Sequence, residues 1–215
     1  MSTAKRLVPA YVVIVLAVLA VGWLLTHPLL STVDSGFDNP LARWFARQRT
    51  PTGNDLTAAG AYIGSTVVFA IGSPLVALAV WLWRRAWPPV LVVVLATAGV
   101  AALYLLATAL ISRERPPVHI LDPGLVPDHS FPSGHTLFAV ALYGSLAVVL
   151  WGHARWASYL LCLVPFVVAV SRLYEGAHHL TDVLTSLVFG ALWVLVLARV
   201  LTAAAGSPAT GPRRR

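Results

Sequence analysis

Ser171-Arg-Leu-Tyr-Glu-Gly-Ala-His-His-Leu-Thr-Asp182 is a polar island in a greasy chain, flanked by apolar runs at 156–170 and 181–200. It brings Arg172, Glu175, His178, His179 and Asp182 within twelve residues of one another. His178 and Asp182 are four apart, which on a helix puts them on one face within hydrogen-bonding reach. A carboxylate on one imidazole nitrogen sets the tautomer and raises the basicity of the other, which suits a nucleophile or general base. The alternative is an interfacial cluster of polar side chains capping two membrane helices.

The rest of the chain makes the membrane reading general. Of 215 residues, 58% are hydrophobic and only 11% charged, against about 45–50% and roughly 25% in a soluble domain. The expected fold class is an all-α membrane protein, with six transmembrane helices in a bundle. Spans are expected at 7–25, 58–83, 90–111, 132–151, 156–170 and 181–200. The first follows Lys5 and Arg6 and reads as a retained anchor, because it exceeds a signal core and no small-x-small site follows. Between the first two spans, Asp38-Asn39-Pro40 reads as a helix start. Leu41, Trp44 and Phe45 then interleave with Arg43, Arg47 and Arg49, the pattern of a short interfacial helix. Gly60 and Gly64 have the small-x-x-x-small spacing of close helix approach, and Pro74 is expected to kink the second span. Residues 1–205 form one domain, and the basic tail at 206–215 is expected to be disordered. The single Cys162 excludes an internal disulfide or a Cys-rich metal site, and its apolar neighbours suggest packing.

Charge orients the bundle. The net charge of +7 has no soluble basic domain to carry it, so nucleic acid is not an expected partner; the membrane bilayer is. With six spans, the two termini and the turns at Arg84 and Arg155 share one side. That side holds Lys5, Arg6, Arg84, Arg85, Arg155, Arg199, Arg213, Arg214 and Arg215 and no acidic residue. By the positive-inside rule it is cytoplasmic. The connections at 112–131 and 171–181 then lie together on the outer side, where Arg115, Ser133, Gly134, His135, Arg172, His178 and Asp182 can converge. Two arginine forks match phosphoryl oxygens bidentately. Ser133-Gly134-His135 opens a helix, whose free N–H groups favour an anion, and Gly134 allows close backbone approach. Two histidines can divide nucleophilic attack and leaving-group protonation.

These residues resemble the type 2 phosphatidic acid phosphatase (PAP2) family of integral-membrane lipid phosphatases, which shares its site with the vanadium haloperoxidases. Pro132-Ser133-Gly134-His135 matches the second family motif, and Ser171-Arg172, His178 and Asp182 match the third at the correct spacing. Arg115-Pro116 ends the first motif, but Thr108 stands where the family has Lys. The likeness covers about 55–200. It implies a phosphohistidine mechanism at the outer membrane surface. His178 would be the nucleophile, oriented by Asp182, and His135 the acid and then the base. Arg115, Arg172, Ser133 and Gly134 would bind phosphate, with no metal or other cofactor. The implied substrate is a lipid phosphate: a polyprenyl diphosphate, phosphatidic acid or phosphatidylglycerol phosphate. A phosphotransferase using the same intermediate and a non-catalytic lipid-phosphate binder stand as alternatives. Arg113 is the candidate to replace the missing Lys: if 112–115 is extended, Arg113 and Arg115 point the same way. The competing reading pairs Arg113 with Glu114 or sends it to lipid head groups.

Overall fold

The computed structural model describes residues 2–27 and 31–205, so the expected tail at 206–215 lies outside the described residues. Among the described residues the chain is helical, with no strand and one isolated bridge between Arg113 and His129. α1 (Thr3–Thr26) has 24 residues, about 36 Å at roughly 1.5 Å per residue, enough for a ~30 Å hydrocarbon core. A π turn at Asp34–Asp38 runs directly into α2 (Asn39–Arg47). The α-helix thus begins at Asn39, as expected, but Asp38 does not cap it: its backbone is already helical, and its side chain is buried. Phe45 on α2 packs against Ala169, Leu173 and Val183 rather than entering lipid.

The expected second span is two helices. α3 (Pro51–Tyr62) starts at Thr50, whose hydroxyl accepts from Gly53 N, with Pro51 at the first helical position. α4 (Thr66–Arg84) starts afresh at Ser65, which caps Val68 N, and continues through Pro74. The cap Ser65 divides an otherwise apolar run, so hydropathy alone merges the two. Gly60 and Gly64 do serve close approach. A Cβ on Gly60 would fall 2.2 Å from Ser171 Oγ, and one on Gly64 would fall 2.6 Å from Val168 and 2.9 Å from the His135 carbonyl.

α5 (Trp87–Leu110) begins with two prolines, and α6 (Gly134–Leu150) contains a π segment at Val140–Gly144. α7 (Arg155–Tyr174) extends past its expected end, placing Ser171 and Arg172 on its last turn. α8 (Leu180–Ala205) completes the bundle. Five helices (α1, α4, α5, α7 and α8) are long and apolar enough to span a membrane, and α6 is a shorter apolar one.

The core is where α1, α5, α6 and α8 meet: Val18, Val92, Val100, Leu103, Leu137 and Leu197, with Phe131 packed beneath the 112–131 connection. In lipid such packing rests on close van der Waals fit, because burying Leu or Val there removes little contact with water. The outside is correspondingly apolar, with Leu16, Ile71, Leu75, Leu105, Leu163, Phe166 and Leu195 exposed. Cys162 also lies on this face, contrary to the expectation that it packs inside.

Candidate active site

One end of the bundle gathers the polar connections. Arg113 links to Asp34, Asp38 and Asp182, and Arg49 donates to the carbonyls of Tyr174 and His119. At the opposite end Arg84 meets His153. The structure thus puts the 112–131 and 175–179 segments at one end, as the spacing of spans implies.

His178 does not sit on a helix with Asp182. It precedes α8, and its Nδ1 lies 2.7 Å from the Ser130 carbonyl but 3.8 Å from Asp182 Oδ2. A carbonyl only accepts, so Nδ1 carries the proton and Nε2 keeps a free lone pair. The tautomer expected from Asp182 is therefore set by a backbone carbonyl, and Asp182 acts one step back. Its Oδ2 accepts from Ser130 Oγ at 2.6 Å and from His179 N at 2.8 Å, which fastens both the residue that orients His178 and the turn that carries it. Burial holds the His178 imidazole down, to about 4, while Asp182 pulls it upward; the ring is neutral at physiological pH.

Arg113 requires a correction. It is 3% exposed. Its Nη1 donates to Asp182 and to Thr181 Oγ1 (2.7 Å), and its Nη2 to Asp38 (2.9 Å) and Asp34. Burial opposes its charge, but Asp182, Asp34 and Asp38 together push its pKa up. With both terminal nitrogens held by carboxylates, it cannot serve as the phosphate ligand proposed to replace Lys, nor does it pair with Glu114 or reach lipid. Its backbone pairs with the 128–130 segment, Ser130 N donating to Arg113 O at 3.0 Å. It is a positioning residue for Asp182. Thr108 offers no substitute, since its hydroxyl donates to Tyr104 O (2.9 Å) in its own helix.

Arg115 has no carboxylate partner and donates to the carbonyls of Val126, Ala177 and His129. Burial, then the neighbouring Arg172, lowers its pKa. Arg172 is 1% exposed, and its Nη1 pairs with Asp122 (2.9 Å) and Glu175 (2.7 Å). Its Nε and Nη2 are buried without a protein partner. Arg172, His135, Glu175 and Asp122 line a cavity of about 290 Å³, walled by Ala58, Ala61, Tyr62, Ser65, Leu121 and Pro123. Burial pushes the Glu175 carboxyl up to about 7, against the pull of Arg172. His135 lies within electrostatic reach of Arg172, His178 and Arg115, so both histidines and both arginines share one site.

Ser133 opens α6 without capping it: its hydroxyl bonds Thr136 at 3.0 Å. The first N–H groups of the helix are therefore left without intrahelical or side-chain acceptors. A Cβ on Gly134 would strike the Tyr104 ring at 2.8 Å, so glycine is needed there for packing as well as for backbone approach. Sequence reading missed Ser130, Asp34, Asp38, Asp122 and Glu175 as members of the site. Ser130 stands two residues before Pro132 and Glu175 lies inside the third motif, which are the available signals.

An all-helical bundle that gathers His135, His178, Arg115 and Arg172 at one end defines a multi-pass membrane protein with a charged site. More narrowly, the chain belongs to the PAP2 superfamily, whose family model matches residues 89–205. It is 33% identical over 127 residues to the putative undecaprenyl-diphosphatase YbjG of Escherichia coli, a match covering 57% of this chain and 63% of that relative, less than two thirds of its length. The fold is similar to that of the first transmembrane PAP2-type phosphatidylglycerolphosphate phosphatase from Bacillus subtilis. The TM-score is 0.73 at 19% identity, covering 93% of this chain and 98% of the other. LpxE of Aquifex aeolicus is also similar, with a TM-score of 0.57 and 25% identity over 75% of this chain and 94% of that one.

Proposed function

We propose that this protein is a membrane lipid phosphate phosphatase acting through a phosphohistidine. The observation that carries the reading is the Arg172 fork, whose Nε and Nη2 are buried and unpartnered beside His135. Unmade hydrogen bonds of a buried charged group are costly, and phosphoryl oxygens would complete them. His178 supports the reading, because its Nδ1 proton is held by Ser130 and Nε2 is left to attack.

In this mechanism the Nε2 lone pair forms an N–P bond as the P–O bond to the leaving group breaks. Protonated His135 gives its proton to the departing oxygen. Neutral His135 then takes a proton from water as that oxygen attacks phosphorus, and the N–P electrons return to His178. Arg115, Arg172 and the N–H groups at Ser133 and Gly134 hold the oxygens as charge shifts among them. The chemistry is metal-independent in this scheme. The three carboxylates that converge nearby, on Asp34, Asp38 and Asp182, already surround Arg113. The names of the relatives support a lipid substrate, a polyprenyl diphosphate or phosphatidylglycerol phosphate, and phosphatidic acid is the third candidate. The test is phosphate release by detergent-purified protein from these lipids, with and without EDTA, for wild type and His178→Ala. The mechanism requires EDTA-resistant release and a loss of about three orders of magnitude or more in the variant.

The site is placed on the extracytoplasmic side, with both termini in the cytoplasm, on the strength of the acid-free Arg-rich segments at the other end. A cysteine at Asp122 in a Cys162→Ala background should label with an impermeant thiol reagent in intact cells, and one at Gly152 should not. The opposite pattern reverses the orientation.

A further inference from the structure

The mechanism gives no part to Asp122 and Glu175, yet both pair with the same Arg172 nitrogen and both line the cavity beside His135. His178 is buried and is not among the cavity-lining residues. In an in-line displacement the leaving group departs opposite the nucleophile. The cavity lined by His135 and the two carboxylates is the open space on offer to it. The remaining walls there, Ala58, Ala61, Tyr62, Ser65, Leu121 and Pro123, carry no cation. Arg49 is within electrostatic reach of Glu175, but its Nε and Nη1 are tied to the carbonyls of Tyr174 and His119 and it does not line the cavity.

The two candidate leaving groups differ in charge at this place. A phosphomonoester releases an alcohol, neutral once His135 has protonated it, whose neighbouring hydroxyls can donate to carboxylates. A diphosphate releases a second phosphate, which stays anionic. We infer that Asp122 and Glu175 are specificity-determining residues that make this site select a lipid phosphomonoester over a lipid diphosphate, by holding negative charge where the second phosphate would lie. The inference rests on the phosphatase reading and narrows its substrate class. It also separates this chain from what the name of the Escherichia coli relative suggests.

The experiment compares kcat/KM for a phosphatidate and for farnesyl diphosphate, both in EDTA so that no divalent ion bridges carboxylate and diphosphate. Wild type, Glu175→Gln and Asp122→Asn are assayed. Wild type should favour the monoester by between about fivefold and about a thousandfold, the span of a like-charge contact at about 4 Å between the dielectric of water and an effective value near 20. Each substitution should move the ratio toward the diphosphate by about tenfold. A wild type that prefers the diphosphate, or a ratio unmoved by both variants, overturns the inference. A second arm does not depend on turnover: thermal protection of the purified protein by inorganic phosphate and by pyrophosphate. Wild type should be protected at lower concentrations of phosphate than of pyrophosphate, and Glu175→Gln should narrow the gap. Should neither lipid be hydrolysed, the phosphatase reading fails, and this arm still decides the charge discrimination: equal protection by the two anions overturns it.

Discussion

Arg113 and Arg172 are both almost fully buried, at 3% and 1% exposure, yet they are used in opposite ways. Arg113 has both terminal nitrogens bound, to Asp34, Asp38, Asp182 and Thr181, and only its Nε without a partner. Arg172 uses Nη1 alone and leaves Nε and Nη2 unpartnered against a cavity. A buried guanidinium with its terminal nitrogens filled by carboxylates holds structure together. One that leaves a terminal nitrogen unpartnered beside a cavity has room for an anion, as the proposed function requires. Residue type and burial do not separate the two; their neighbours do.

The strongest test of the contrast removes the receptor. Arg172→Ala should lower kcat/KM for a lipid phosphate by about 10²–10³-fold, the scale of losing a donor to the reacting oxygens. A loss of only a few-fold would place the phosphate elsewhere. Arg113→Ala should act chiefly on stability. It leaves Asp38 and Asp182 buried without their cation, a cost of about 3–5 kcal/mol, read as a lowered unfolding temperature in detergent. If Arg172→Ala proves the more destabilising of the two, the distinction collapses.

A smaller perturbation reaches the receptor from behind. Gly60→Ala would place a methyl group against Ser171, next to Arg172, with an overpacking cost of about 1–3 kcal/mol. Activity should fall more than it does for Gly72→Ala, where the nearest atom is Leu142 at 3.3 Å. The smallest effect is on pH dependence. Glu175 titrates at about 7, so above that pH it is ionised and competes with phosphate for Arg172, and below it the competition fades. KM for a phosphomonoester should therefore fall a few-fold as pH drops through 7, and Glu175→Gln should flatten the response. His178, held near 4, stays neutral over that range, so the proposed nucleophile should not contribute to it.

The apolar runs and the two complete motifs made the bundle and the places of His135, Arg172 and His178 legible, because both signals are local. The division of the second span was not legible, since only Ser65 and its hydrogen bond to Val68 N separate α3 from α4 in an apolar stretch. Arg113 was misread for a different reason. Its partners lie 69, 75 and 79 positions away, and no periodicity links them. The backbone at Arg113 and Arg115 pairs with residues 127–130; the tertiary carboxylates, not local geometry, decide where the Arg113 side chain ends. The same holds for His178, whose orienting group is the backbone carbonyl of Ser130, a contact that side-chain chemistry does not reveal.

Ser130 also bears on how the protein is made. Its carbonyl and hydroxyl engage His178 and Asp182, 48 and 52 positions further along. During synthesis from the N-terminus, the arginine of the first motif and the whole second motif emerge well before their partners. Until the last helix follows, Ser130 has nothing to orient and Arg113 has no Asp182 to hold. The nascent chain therefore enters the bilayer with this polar cluster unmade, and the cluster forms only once α8 has followed.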